Sequence, residues 1–153
     1  MRRGVRLGVD VGTARVGLAR CDRDALLATP VETVQRASAD PVERIVALAH
    51  ELDAIEVVVG LPISLSGADT PSTEDARAMA AAIARHLPVR LVDERLSTVT
   101  ASMGMRAAGR SARQQRGSID QAAAVVILQH ALDSERSSGR APGSVLGEAP
   151  EED

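Results

Sequence analysis

A mixed β-sheet flanked by helices, the α/β class, is predicted by two contrasting patterns in this chain. Residues 5–11, VRLGVDV, alternate apolar with small or charged residues, as a strand with two unlike faces does, and the turn GTAR leads straight into RVGLARC, completing an antiparallel hairpin. Residues 55–62, IEVVVGLP, form an unbroken apolar run of the kind buried on both faces of a sheet, which parallel strands joined through helices produce. A length of 153 residues suits one well-buried domain.

In the first strand Val5, Leu7, Val9 and Val11 share one face, while Arg6, Gly8, Asp10 and Gly12 share the other. LLATPVETV supplies a weaker third strand, which Pro30 pushes toward a sheet edge. Asp40-Pro41-Val42-Glu43 has the N-cap, first-turn proline and capping-box spacing of a helix start, and that helix runs to about Leu52. After IEVVVGLP comes a loop rich in Gly, Pro and Ser, then an alanine-rich helix over 73–87 and a short strand, PVRLVDE, over 88–94. STVTASMGMRAAG reads as a helix that Gly109 ends, and RSARQQRG as a basic loop. Ser118-Ile119-Asp120-Gln121 has the form of a capping box and opens an apolar helix ending near Asp133. The domain is thus expected over 1–133, with 134–153, rich in Ser, Gly, Pro and acid, as a disordered tail. The count is five strands.

Composition narrows the function. Hydrophobic residues make up 44% and charged residues 25%, with no apolar run long enough for a membrane span. The N-terminal MRRGVRLGVD starts a strand at once and lacks the features of a secretory signal, and Cys21 is the only cysteine, so a reducing cytoplasm is the expected compartment and Cys21 a small buried hydrophobe. All 18 cationic side chains are arginine, and Phe, Tyr and Trp are absent. The core must be aliphatic, and a bound nucleic acid would be read through phosphates and shape rather than by stacking on aromatic rings. The net charge of −3 hides a segregated distribution: no acid lies between Glu94 and Asp120, where Arg95, Arg106, Arg110, Arg113 and Arg116 all fall.

The acids placed at strand ends and helix starts are Asp10, the Asp93-Glu94 pair and Asp120. If the first and last strands lie close together, these groups converge, and converging carboxylates are best tolerated around a divalent cation. Oxygen ligands favour magnesium or manganese, and two such ions support hydrolysis of a phosphodiester. Each acid also has a plainer reading. Asp10 fits a turn residue, Asp120 fits the favourable end of a helix dipole, and the arginines fit a solvated loop. Only one of Asp93 and Glu94 can join a cluster, and alternation alone leaves both open. His50, His86 and His130 lie on helices without ligand spacing.

GVDVGTARVGLA, VVVGLPISLSG, LVDERLST and SIDQAAAVVIL, in that order, resemble the YqgF family of Holliday junction resolvases, also described as pre-16S rRNA nucleases, over residues 5–133. The resemblance implies a ribonuclease H-like fold, a five-stranded mixed sheet with its first three strands antiparallel. It implies divalent-metal-dependent cleavage of nucleic acid by Asp10, Glu94 and Asp120, and so selects Glu94 over Asp93. Arg15, in the GTARVG turn, and Arg106, Arg110, Arg113 and Arg116 then become phosphate contacts. The loop after GLP departs from the family pattern, with Ser64 and Leu65 where Asn and Met are common, as does Thr100 where an acid is common.

The substrate expected from this likeness is a structured RNA, in 5′-end processing of precursor 16S rRNA, with branched DNA as the alternative. A four-way junction would require a two-fold symmetric homodimer, since two strands must be cut symmetrically. Two other classes compete. D-x-G-T before a hairpin also resembles the phosphate loop of actin-like ATPases, but a second domain and a second such loop are missing from the sequence. A non-catalytic binding module of the same fold has no reason to keep three costly acids.

Overall fold

The computed structural model describes residues 1–63, 66–93 and 112–146, with 112–119 as backbone only. Strands β1 (Arg6–Val11) and β2 (Arg15–Cys21) form the expected hairpin, in a register running from Leu7 opposite Arg20 to Val11 opposite Val16. Strand β3 (Ala28–Gln35) pairs antiparallel with β2. Helix α1 (Pro41–Leu52) then carries the chain to β4 (Glu56–Leu61), parallel to β1, and helix α2 (Pro71–Ile83) carries it to β5 (Val89–Asp93), parallel to β4. Helix α3 (Ala112–Ser138) precedes β6 (Ser144–Leu146), which pairs antiparallel with β5. The sheet order is β3-β2-β1-β4-β5-β6.

Local chemistry explains most of these boundaries. Pro30 sits on an edge strand, as expected, and the β2–β3 ladder slips there: Leu18 faces Glu32 while Ala19 faces Pro30, leaving Val31 as the extra residue of a bulge. Asp40 caps α1 by accepting a hydrogen bond from the Val42 backbone at 3.0 Å. A reciprocal capping box forms at the start of α2, where Thr70 and Thr73 each accept from the other's backbone N–H.

The sheet is buried on both faces. One face sets Leu7, Val9, Leu18, Val57, Val59 and Leu91 against α1 and α2, through residues such as Ile45, Leu48, Met79 and Ile83. The other sets Ala19, Val58 and Val92 against Ala124, Ile127, Leu128 and Leu132 of α3. Cys21 is buried in this second cluster, and burial pushes its thiol pKa up, in keeping with an inert small hydrophobe.

The helix expected over 73–87 is α2, which ends at Ile83 and leaves His86 in a turn, and three further expectations need correction at the C-terminal end. The final helix does not open at Ser118: it is continuous from Ala112, so residues 112–117 are helical rather than loop, and Asp120 lies inside the helix instead of at its first turn. Ala-Arg-Gln-Gln-Arg are all good helix formers, and one interior glycine, Gly117, costs only about 1 kcal/mol. Nor does the helix stop near Asp133. It continues to Ser138 because Glu135 and Arg136 are both engaged, Arg136 donating to the Ala25 carbonyl and Glu135 pairing with arginines of the N-terminal segment. Gly139, at φ +75°, ends it and donates to the Glu135 carbonyl. Residues 134–146 are therefore not a disordered tail, since they finish α3 and add β6, a sixth strand.

Those pairings form a buried ionic network where β1 and β4 begin and α3 ends. Arg2 bridges Glu135, at 2.8 Å, and Glu56, at 2.9 Å, while Arg90 reaches Glu56 at 3.1 Å and Arg6 reaches Glu135 at 3.3 Å. Glu56 and Glu135 are only 2% and 3% exposed. Hydrogen bonds from Arg2 above all hold the Glu135 carboxyl down to about 2, from an ordinary 4.5. A carboxyl depressed on folding stabilises the fold above its unfolded pKa and loses that contribution as pH falls through the folded value. We predict that Glu135→Gln lowers stability at pH 7 by about 2 kcal/mol, less than for a fully sequestered pair because Arg2 reaches solvent. The gap to the unsubstituted protein should close between pH 4.5 and about 2, as urea denaturation across that range would show.

Candidate functional site

Asp10 lies near the end of β1, half-buried, on the face that carries Gly8 and Gly12. Directly opposite it in β2 is Gly17, and opposite Gly17 in β3 is Thr33. This row lies beneath α3. A Cβ at Gly17 would collide with the backbone carbonyl of Asp120, and a Cβ at Gly8 would lie 2.8 Å from the Ala124 carbonyl and from the Leu128 side chain. Glycine at these two positions lets the helix backbone rest almost on the strands. The helix is pinned laterally by Gln121, whose side-chain amide donates to the Thr33 hydroxyl at 3.1 Å.

This seating sets the Asp120 backbone over Gly17, the very residue that pairs with Asp10. The Asp120 side chain is 17% exposed and accepts a hydrogen bond from Arg15 Nε to Oδ2 at 2.8 Å. Its place inside α3 removes the helix-dipole explanation for an acid there.

Arg15 starts β2 from a braced turn. Gly12 donates to the Arg15 carbonyl at 2.9 Å, the Arg36 backbone donates to the Ala14 carbonyl at 3.0 Å, and the Arg36 guanidinium donates to the Gly12 carbonyl at 2.8 Å. Arg36 is itself held by both oxygens of Asp75 in α2, at 2.7 and 3.2 Å. The sequence reading missed Gly17, Arg36 and Asp75. Gly17 carried a usable signal, a glycine inside a strand, whereas the Arg36–Asp75 pair spans a tertiary contact that no local pattern announces.

Glu94, Arg106 and Arg110 lie outside the described residues, and Arg113 and Arg116 fall on the backbone-only part of α3. Asp93 is exposed at the end of β5. The three histidines are all exposed, and among the described residues no group of three or more His, Cys, Asp or Glu side chains gathers as a metal cluster.

A family model described as RuvX, Holliday junction resolvase, matches residues 4–134. The chain belongs to the RuvX family. This agrees with the YqgF resemblance carried by the four motifs. A relative from Clavibacter michiganensis is 57% identical over 150 residues, covering 95% of this chain and 93% of its own. Another from Streptomyces avermitilis is 55% identical over 147 residues, with 94% of each chain covered. Both carry the name "Putative pre-16S rRNA nuclease". Among solved structures, Thermus thermophilus RuvC in complex with a Holliday junction substrate superposes with a TM-score of 0.55 at 18% identity, covering 88% of this chain and 97% of that one. That likeness establishes a shared ribonuclease H-like fold; among the described residues the sheet of this chain has six strands rather than the five expected.

In this RuvX-family chain the helix–sheet contact at Gly17 should tolerate no side chain. Gly17→Ala is expected to lower unfolding free energy by about 1–3 kcal/mol, the usual range for overpacking, in a urea titration.

Proposed function

We propose that this RuvX-family protein is a divalent-metal-dependent nuclease that hydrolyses phosphodiester bonds in 5′-end processing of precursor 16S rRNA, in the cytoplasm. Asp10, Glu94 and Asp120 are its catalytic acids and metal ligands. The observation that carries this reading is the seating of the Asp120 backbone on Gly17, the residue paired with Asp10, with both aspartates half-buried. Strand parity speaks against Asp93 as the third. Val92 packs on the α3 face with Val58, and Asp93, the last residue of β5, has the opposite parity; Glu94, outside the described residues, is taken as the third acid on the family resemblance.

The donor set fits magnesium or manganese, being carboxylate oxygen, with Cys21 buried in a hydrophobic cluster and the three histidines exposed. Such ions supply an activated water and stabilise the leaving oxygen of the phosphodiester. The protein's part is to hold the carboxylates on rigid elements. Asp10 sits within a strand paired on both sides, and Asp120 within a helix whose backbone cannot recede from Gly17 without losing the packing of Ala124 and Leu128. Arg15, Arg106, Arg110, Arg113 and Arg116 hold substrate phosphates, as suits a protein without aromatic stacking platforms.

A second reading, Holliday junction resolution, is favoured by the family's description and by the fold shared with a RuvC solved on a junction. It requires a two-fold homodimer. A manganese-supported cleavage assay separates the two readings, offering a precursor 16S rRNA 5′ leader and a four-way DNA junction side by side. Cutting of the RNA alone, reduced at least about 100-fold by Asp10→Asn or Asp120→Asn, is the expected result, since losing a ligand costs more than the 10–100-fold of losing a ligand's support. Symmetric cutting of the junction would install the resolvase, and cutting of neither would leave a binding module.

A further inference from the structure

We propose that Arg15 is an exchangeable counter-charge for Asp120, competing with the divalent cation for Oδ2 and released toward substrate phosphate when the cation binds. The inference rests on the assignment of Asp120 as a metal ligand. Its own support is the way the two side chains are held.

Asp120 is the fixed partner. Its backbone is pressed onto Gly17 and its carboxylate is 17% exposed. Arg15 is fixed at its base and partly exposed at its head. The turn beneath it is closed by the Gly12–Arg15 bond and braced by Arg36 and Asp75, yet its side chain is 35% exposed. It engages Asp120 through Nε, at 2.8 Å, and among the described residues the two terminal nitrogens of the guanidinium make no other hydrogen bond. A divalent cation held by the Asp120 carboxylate would compete with Arg15 for the charge on that group. A guanidinium 2.8 Å from its Oδ2 would then face a doubly charged ion at close range, and the two cations repel. Each therefore weakens the other's hold on Asp120, by the same factor in both directions. With its base anchored at the start of β2, the displaced guanidinium stays beside the site, where a phosphate is the natural acceptor for its fork of donors.

Manganese affinity is the direct test, measured by calorimetric titration without nucleic acid. A partly exposed ion pair contributes up to about 1 kcal/mol, so Arg15→Gln should bind manganese about fivefold more tightly than the unsubstituted protein. Arg15→Lys, which keeps the charge and loses the Nε geometry, should fall between them. Raising sodium chloride should narrow the difference, because salt screens the Arg15–Asp120 pair. In an Asp120→Asn background the effect of Arg15→Gln should shrink below about twofold, as a double-mutant cycle on one shared oxygen requires. Equal or weaker manganese binding by Arg15→Gln overturns the exchange alone, and so does a gain of the same size in the Asp120→Asn background, which would mean that Arg15 acts by bulk charge. Absence of manganese binding in every variant and in the unsubstituted protein overturns the ligand assignment and the exchange together.

Discussion

The close approach of α3 to the β1–β2 hairpin is the constraint on which the rest of this structure depends. A helix normally stands off a sheet by the thickness of two layers of side chains. Here Gly8 and Gly17 remove one layer along a diagonal of the sheet, and Ala124 and Asp120 settle where that layer would have been. The packing energy is supplied farther along the helix, by Ile127, Leu128 and Leu132 against Ala19, Val58 and Val92. Apolar burial thus holds a contact that by itself contains a carboxylate, and the carboxylate inherits the rigidity of the core.

The two ends of this helix–sheet layer treat charge in opposite ways. At one end Arg2, Arg6 and Arg90 surround Glu56 and Glu135, and the carboxylates are sealed from solvent. Buried pairs of this kind rarely add net stability over an apolar equivalent, but breaking one is costly, so they fix how the helix end meets the strand starts. At the other end Asp10 and Asp120 remain half-buried, and the arginine that reaches Asp120 is itself partly exposed. A site that must accept charged ligands cannot be sealed. The same residue type therefore serves as a permanent counter-ion at one end and as a displaceable one at the other, the difference being solvent access.

Much of this architecture was legible in local sequence. The hairpin, the edge position of the Pro30 strand, the capped α1 and the buried runs of β4 and β5 each follow from a pattern within a few residues, and the structure places them within a residue or two of expectation. The errors share a cause. Ser118-x-x-Gln121 looks like a helix start, but nothing local says that the preceding residues are already helical. Ser134 onward looks like tail because its composition is polar, yet Glu135 is held by Arg2 and Arg6 from the opposite end of the chain. Of the site, Asp10 and Asp120 were nameable from sequence, while what unites them is Gly17, whose role appears only when the helix is laid upon it.

The sixth strand bears on how copies of this protein could associate. β6 covers the β5 edge, and a Cβ at Gly143 would collide with the Leu91 carbonyl, so the chain turns closely onto that strand. The opposite edge, β3, is broken by Pro30 and a bulge, which deprive a neighbouring strand of a regular ladder. Among the described residues, neither edge offers a long regular row of unpaired N–H and C=O groups of the kind that edge-to-edge pairing uses. A two-fold assembly is demanded by the junction reading and not by the RNA reading. The two readings therefore differ in what they require of the protein's exterior as well as in substrate, while sharing every residue of the acid site.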